Sequence, residues 1–316
     1  MKTNEKLTLG SRQSLTCLPD LSQHGRTLRP DARSFLFTLL LLSVLPALTG
    51  SCRKDRLSPS AEEETPPEVQ APDSVLTAIR LQTDGQPVRR LDLFVYDASG
   101  TKPLQKYVQA DSLPAALHLP TLPGEKILVG IANSPRSFNL GALGRFDAIQ
   151  QLQYRFGDDN PEYPILGGFC ITSEESGTIR LRPLLCKIVL STVNNTMDGY
   201  ELLEEPHVRL RDLPDGAEIL REKDFRPNEL IDAGDWQALP CDVGYFPQYP
   251  GITLWCYPND TPETILGVPR PALEFECTIC GEICSFQIPL PPLSRGCTKE
   301  IELTINGPYD YRFKVH

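Results

Sequence analysis

The prolines of this chain place the strongest limit on its fold. The sequence of 316 residues contains 30 prolines, and they recur throughout the part that follows residue 52. Proline removes a backbone N–H donor and breaks the interior of a helix, so long helices have little room here. The sequence therefore predicts an all-β protein with many turns.

Apolar and polar side chains alternate from residue 74 onward, which is the pattern of half-buried strands. The segment 75–82 (VLTAIRLQ) is predicted as the first strand, and the segment 89–97 (RRLDLFVYD) as a strand with one strongly buried face. The segment 126–132 (KILVGIA) is almost continuously apolar, which favours a central strand. One short helix is predicted over residues 140–154, where apolar side chains recur at spacings of three.

The strand pattern is interrupted at residues 194–200 (NNTMDGY). The length after residue 51, about 265 residues, suits two domains of ordinary size. We therefore predict two β-sandwich domains from strand count and spacing, with residues 74–195 forming the N-terminal one and residues 196–316 the C-terminal one.

An apolar segment without charged residues, 34–51, ends immediately before Cys52. Arginines precede it and small residues close it, as in a secretory signal whose cleavage leaves an N-terminal cysteine. A membrane-spanning helix is the competing interpretation, but it needs about 20 apolar residues, and this segment is shorter and contains Pro46. We predict a signal peptide over residues 1–51, lipidation of Cys52, and a disordered tether over residues 52–73, which are rich in proline and glutamate.

The charge of the chain argues against nucleic acid as a partner. The formal net charge is −10, and it becomes −13 when the six basic and three acidic residues of the segment 1–51 are removed. Proteins gain binding free energy when their basic side chains displace counterions from nucleic-acid phosphates, and an acidic chain without a basic cluster lacks this contribution.

Three cysteines lie close together in the segment 275–290 (FECTICGEICSFQIPL). Alternation on both sides of Cys280 and Gly281 predicts a hairpin in which Cys277 lies opposite Cys284. A disulfide between Cys277 and Cys284 is one interpretation, and two buried thiols acting as small apolar side chains are another. A zinc site is disfavoured because four ligands are usual and no histidine is close in sequence, so we predict no metal site.

No motif for catalysis stands out, since the sequence has no G-x-S-x-G, H-E-x-x-H or P-loop pattern. We therefore predict no catalytic residue, no cofactor and no enzymatic activity. Six aromatic residues fall between positions 236 and 257, where they could form either a sugar-stacking platform or part of a core or interface. They are Trp236, Tyr245, Phe246, Tyr249, Trp255 and Tyr257.

Six sequence features follow one another along the chain, and the first is the cysteine after the apolar leader. The others are LDLFVYDASGTKPL (91–104), LPTLPGEKILVGIAN (119–133), YPILGG (163–168), TIRLRPLLCKIVLSTV (178–193) and FQIPLPPLSRGCTKEIELTI (286–305). In their order and spacing, these features resemble the minor fimbrial subunits of the FimB-like family, the anchor lipoproteins of type V fimbriae in Bacteroidales.

The resemblance implies two tandem transthyretin-like β-sandwiches exposed on the outer membrane and held there by a lipid anchor. It also implies strand exchange with fimbrial shaft subunits, the fimbrillins, in which a strand of one subunit completes the sheet of another. The candidate segments are 75–82, 301–306 and the tail 309–316, although these strands could equally complete their own sandwiches. The alternative function is that of a surface lipoprotein that captures polysaccharide through the aromatic group.

Overall fold

The computed structural model describes residues 74–316 except residues 115, 174 and 200. The signal peptide, Cys52 and the tether lie outside these residues and stay predictions. The described part is almost entirely β-structure, which confirms the predicted all-β class. None of its helices is long and apolar enough to cross a bilayer.

The first half contains nine strands and one short helix. The helix, α1, spans Phe146–Gln150, and a 3₁₀ turn follows at Phe156–Asp158. The strands are β1 (Val75–Gln82), β2 (Leu91–Asp97), β3 (Leu104–Ala110), β4 (Leu117–Thr121), β5 (Lys126–Ala132), β6 (Gln153–Arg155), β7 (Leu166–Thr172), β8 (Ser176–Arg180) and β9 (Arg182–Pro183).

The second half contains ten strands. They are β10 (Cys186–Asn195), β11 (Glu204–Pro214), β12 (Gly216–Glu218), β13 (Leu230–Ala233), β14 (Gln237–Ala238), β15 (Ile252–Cys256), β16 (Ala272–Ile279), β17 (Glu282–Pro289), β18 (Thr298–Gly307) and β19 (Asp310–Val315).

The same strand arrangement occurs twice. In the first sandwich, a sheet of order β4-β1-β8 faces a sheet of order β3-β2-β5-β7-β9. In the second, β15-β10-β18-β19 faces β13-β11-β16-β17. The directions match as well, because β1 is antiparallel to β4 and parallel to β8, while β10 is antiparallel to β15 and parallel to β18. The strand β10 is therefore the counterpart of β1.

The boundary at residues 195 and 196 stays a prediction. The strand that ends there, β10, pairs with β15 and β18, which both come later in the chain. A boundary between Pro183, where β9 ends, and Cys186, where β10 begins, would divide the two sets of strands better than the predicted boundary at residues 195 and 196.

The central strands of the first sandwich are buried on both faces. All seven residues of β5 are buried and β5 lies between β2 and β7, which confirms the prediction of a central strand. The expectation that β2 has one buried face was incomplete. Leu91, Leu93 and Val95 point into the sandwich core, and Phe94 and Tyr96 are buried in a second apolar cluster on the other side. That cluster also contains Ile219, from the second half.

The helix predicted over residues 140–154 was wrong in extent, since α1 covers only five residues. The segment before it forms turns in which Asn139 Oδ1 accepts a hydrogen bond from the Gly141 N–H (3.1 Å). No side chain caps the N-terminus of α1, and Tyr154 belongs to β6 instead, where it pairs with Ala217 of β12. Two glycines, Gly141 and Gly144, lower the helix propensity of the segment.

Candidate strand-pairing site

The strand β1 occupies the middle of its sheet. Val75–Ile79 pairs with β4 and Ala78–Gln82 pairs with β8. Thr77 and Ile79 are fully buried, whereas Leu76, on the opposite face, is 58% exposed. Loss of β1 would therefore leave two strands without partners and open the core between the two sheets.

One side-chain contact ties β1 to its neighbour. The hydroxyls of Thr77 and Thr121 lie 2.7 Å apart in the core, where one donates a hydrogen bond to the other. Buried hydroxyls need such partners, because an unpaired one costs about 1–3 kcal/mol. The segment 75–82, predicted as a candidate for strand exchange, therefore completes its own sandwich in this structure.

The candidate segment 301–306 lies inside β18, which is flanked by β10 and β19. Ile301, Leu303 and Ile305 are fully buried. The tail that follows, predicted as a donor segment over residues 309–316, forms the edge strand β19. Among the described residues, β19 has no counterpart in the first sandwich and pairs only with β18.

The hydrogen-bond pattern shows which groups the edge of β19 exposes. Glu300 and His316 exchange two backbone hydrogen bonds (2.9 and 3.3 Å), so they form a hydrogen-bonded pair. Pairs of this kind alternate along an antiparallel ladder. The N–H and C=O groups of Tyr311, Phe313 and Val315 therefore point away from β18, and no described strand forms hydrogen bonds with them.

The side chains of β19 are arranged like those of a half-covered strand. Tyr311 and Val315 pack against the core of the second sandwich. The Tyr311 hydroxyl donates a hydrogen bond to the Gln287 carbonyl of β17 (2.7 Å). Phe313 stacks on Tyr311 with 6.3 Å between ring centroids and remains 39% exposed. Tyr309, in the turn before β19, is 91% exposed. One additional strand beside β19 would cover the exposed ring of Phe313.

The cysteine hairpin has the predicted register. Cys277 lies directly opposite Cys284 in the β16–β17 ladder, and Cys280 and Gly281 form a two-residue turn with positive φ at both positions (51° and 82°). Cys277 and Cys284 are both buried as free thiols. Burial raises the pKa of Cys277 to about 12. The disulfide stays a prediction, and the described residues contain no cluster of three or more metal-ligating side chains.

The six aromatic residues do not form one platform. Tyr257 is fully buried, and Trp255 packs against the second apolar cluster of the first sandwich. Trp236 is half-buried under the guanidinium of Arg209, which lies 4.1 Å from the centre of a ring. Tyr245, Phe246 and Tyr249 are instead exposed on one loop, at 59%, 76% and 75%.

Sequence patterns gave no indication of Arg295, the largest fully buried side chain. Its guanidinium donates five hydrogen bonds to backbone carbonyls, and burial lowers its pKa from the ordinary arginine value to about 10. Two acceptors come from the segment after β12 and three from the first sandwich. The acceptors are the carbonyls of Gly167, Arg182, Pro183, Ile219 and Arg221.

Comparison with known proteins finds similarity in structure but not in sequence. Neither a family model nor a curated protein sequence matches the chain. A proposed cell adhesion protein from Parabacteroides distasonis has a TM-score of 0.60 at 10% identity, with 77% of this chain and 96% of that one covered. The likeness is one of fold.

Two fimbrial proteins of Porphyromonas gingivalis share this fold. The fimbrilin FimA has a TM-score of 0.54 at 10% identity, covering 76% of this chain and 95% of that one. The tip fimbrial protein Mfa3 has a TM-score of 0.52 at 12% identity, covering 77% of this chain and 98% of that one. The paired sandwiches therefore belong to an architecture that fimbrial proteins use.

Proposed function

We propose that this protein is a non-enzymatic structural subunit of a surface fimbria. Lipidation at Cys52 would hold it at the outer membrane, and the segment 52–73 would serve as a tether. Its sandwiches would join fimbrial shaft subunits by strand pairing and so anchor the fibre or end its assembly. The proposal is supported by the shared fold of fimbrial proteins and by the motifs that resemble anchor subunits.

The observation that carries this proposal is the outer edge of β19. Three residues there direct backbone donors and acceptors away from the sheet, beside a half-exposed aromatic ring. An extended strand from another subunit would satisfy these groups and bury the ring, which is β-augmentation. Arg312 and Lys314 are exposed on the outer face of β19 and suit a partner strand with acidic residues.

A pair of substitutions at one position tests this edge. Phe313→Pro removes the outward N–H and blocks a new strand, while the bonds to β18, which involve the even-numbered residues, remain. Phe313→Ala removes the ring but keeps the N–H, and it serves as the matched control. We expect the proline variant to lose binding to purified shaft subunits and the alanine variant to keep most of it. Equal binding by both variants would show that this edge is not the contact.

Displacement of β1 is the second route to strand pairing. A double variant, Thr77→Cys with Thr121→Cys, places two thiols where the hydroxyls are 2.7 Å apart, and its oxidation would lock β1 to β4. If a partner strand replaces β1, the oxidised protein should fail to join shaft subunits and the same protein after reduction should succeed. If the oxidised and reduced proteins join shaft subunits equally well, displacement of β1 is excluded and the edge of β19 is the remaining site of strand pairing.

The anchor has its own test. Cys52→Ala should abolish labelling by a radioactive fatty acid and release the protein from the membrane fraction, because one thiol carries the acyl chains. Cys17→Ala, in the leader, is the matched control and should change neither. In a deletion strain, fibre length or the amount of fimbrillin held on cells should change. An unchanged fibre population would reject the fimbrial role.

Polysaccharide capture is a second candidate, favoured by the exposed rings of Tyr245, Phe246 and Tyr249. Aromatic rings stack on sugar faces, and the rings of Tyr245 and Phe246 lie 6.1 Å apart in an edge-to-face arrangement. Substitution of all three by alanine should abolish retention on a polysaccharide column, with Trp236→Ala as the control. Retention by neither the wild type nor the variant would remove this candidate.

A further inference from the structure

Three cysteines form a row across three adjacent strand segments of the second sandwich. Cys186 at the start of β10 pairs in register with Cys256 at the end of β15. On the other side of β10, the Lys187 N–H donates to the Cys297 carbonyl (2.8 Å), immediately before β18 begins. All three side chains lie in or against the same core. Cys186 is therefore central, with one thiol on each side.

The three thiols differ in how far water reaches them. Cys186 and Cys256 are fully buried, whereas Cys297 is only partly buried. The Cys186 thiol donates to the Ser294 carbonyl (3.2 Å), which holds its sulfur toward the turn that leads to Cys297. The Cys186 thiol lies within hydrogen-bonding reach of the thiols of both Cys256 and Cys297. Cys297 is the one of the three that is only partly buried, so a disulfide reagent reaches it first, and Cys186 is the cysteine on the strand beside it.

We propose that Cys186 and Cys297 form a disulfide that pins β10 to β18, while Cys256 remains a thiol. The Cys297 thiolate attacks a disulfide oxidant and forms a mixed disulfide, which releases one thiolate of the oxidant. The Cys186 thiolate then attacks the Cys297 sulfur and releases the second. The protein loses two protons and two electrons, and the electrons reduce the oxidant to two thiols.

The position of this bond gives it a structural consequence. The pair β10–β18 corresponds to the pair β1–β8 of the first sandwich. A bond between Cys186 and Cys297 would prevent β10 from leaving its sheet, whereas the described residues of β1 include no cysteine. The second sandwich would then be closed to strand displacement, and displacement would be confined to the first.

The local environment sets the conditions under which the bond forms. Hydrogen bonding to Cys186 and burial raise the pKa of Cys297 above its ordinary value. Thiolate is the attacking species, so oxidation at neutral pH should be slow and should accelerate as the pH rises.

The experiment treats the purified chain with oxidised glutathione, alkylates the remaining thiols in denaturant and maps non-reduced peptides by mass spectrometry. We expect a cross-linked peptide pair that contains Cys186 and Cys297, with Cys256 alkylated. Cys297→Ala should remove the cross-link and Cys256→Ala should retain it. The oxidised wild type should also unfold at a higher urea concentration than the reduced wild type.

Two results would overturn the assignment. One is a cross-link from Cys186 to Cys256, and the other is full alkylation of both Cys186 and Cys297 after prolonged oxidation. Mapping uses the wild-type protein, so the conclusion does not depend on whether a cysteine variant folds.

Discussion

The Nη2 atom of Arg295 donates a 2.8 Å hydrogen bond to the carbonyl of Gly167, although 128 residues separate the two. Gly167 lies in β7 of the first sandwich, and Arg295 lies in the segment between β17 and β18 of the second. This guanidinium joins the two sandwiches through backbone carbonyls, whose positions do not depend on side-chain identity. One buried cation therefore links segments of both sandwiches by hydrogen bonds.

Arg295→Met should destabilise the protein severely. The variant removes the donor of five hydrogen bonds to backbone carbonyls, and each buried acceptor left unpaired costs about 1–3 kcal/mol. Urea denaturation measures this free energy of unfolding. Arg312→Met, at an exposed position of β19, is the matched control and should change it by less than about 0.5 kcal/mol. Similar losses in both variants would contradict the role assigned to Arg295.

Gly167→Ala should disturb the same junction by steric overlap. A Cβ at this position would lie 2.5 Å from Ile219 Cγ1 and 2.7 Å from the Ile219 carbonyl oxygen, which also accepts from Arg295. Overpacking of this kind costs about 1–3 kcal/mol. Gly307→Ala offers a control, because a Cβ there meets no atom within 4 Å. The midpoint of thermal unfolding should fall for the first variant only.

Ile79→Ala tests how far β1 stabilises the first sandwich. Ile79 is fully buried, so its truncation leaves a cavity and should lower the free energy of unfolding by about 2–5 kcal/mol. Leu76→Ala, on the exposed face of the same strand, should cost much less. Hydrogen exchange of the β4 and β8 amides should accelerate in the Ile79 variant alone. Unchanged exchange would mean that β1 does not hold these strands.

Asp159 should make stability depend on pH. Its Oδ1 accepts from the Ile165 N–H (2.8 Å) and its Oδ2 from the Tyr257 hydroxyl (3.1 Å), and burial raises its pKa from 3.8 to about 6. The folded state therefore binds the proton more tightly than the unfolded state. The stability from this group is present below about pH 4 and is lost as the pH rises through about 6, which amounts to about 2–3 kcal/mol.

The measurement is urea unfolding at intervals between pH 4 and pH 7. Asp159→Asn, which cannot ionise, should remove this part of the pH dependence, whereas Asp158→Asn, at an exposed neighbouring position, should preserve it. Identical pH profiles for the wild type and Asp159→Asn would rule out Asp159 as the source.

The sequence by itself determined the features that depend on neighbouring residues. Alternation at period two located most strands, and the apolar run 126–132 indicated a strand buried on both faces. The hairpin at Cys280 and Gly281 followed from the pattern around it, which placed Cys277 opposite Cys284. These features are local, because a strand's buried face and a two-residue turn are specified within a few positions of the chain.

Only the tertiary structure decided which strands pair across long separations and what they bury. The parallel pairing of β10 with β18 joins segments more than a hundred residues apart, and it alone brings Cys186 beside Cys297. The burial of Arg295 likewise requires carbonyls from several distant segments. The helix predicted over residues 140–154 was largely replaced by turns and by a strand, because β12 supplied a partner for β6. Such contacts lie outside any local pattern, since their energy comes from groups that meet only after the chain has folded.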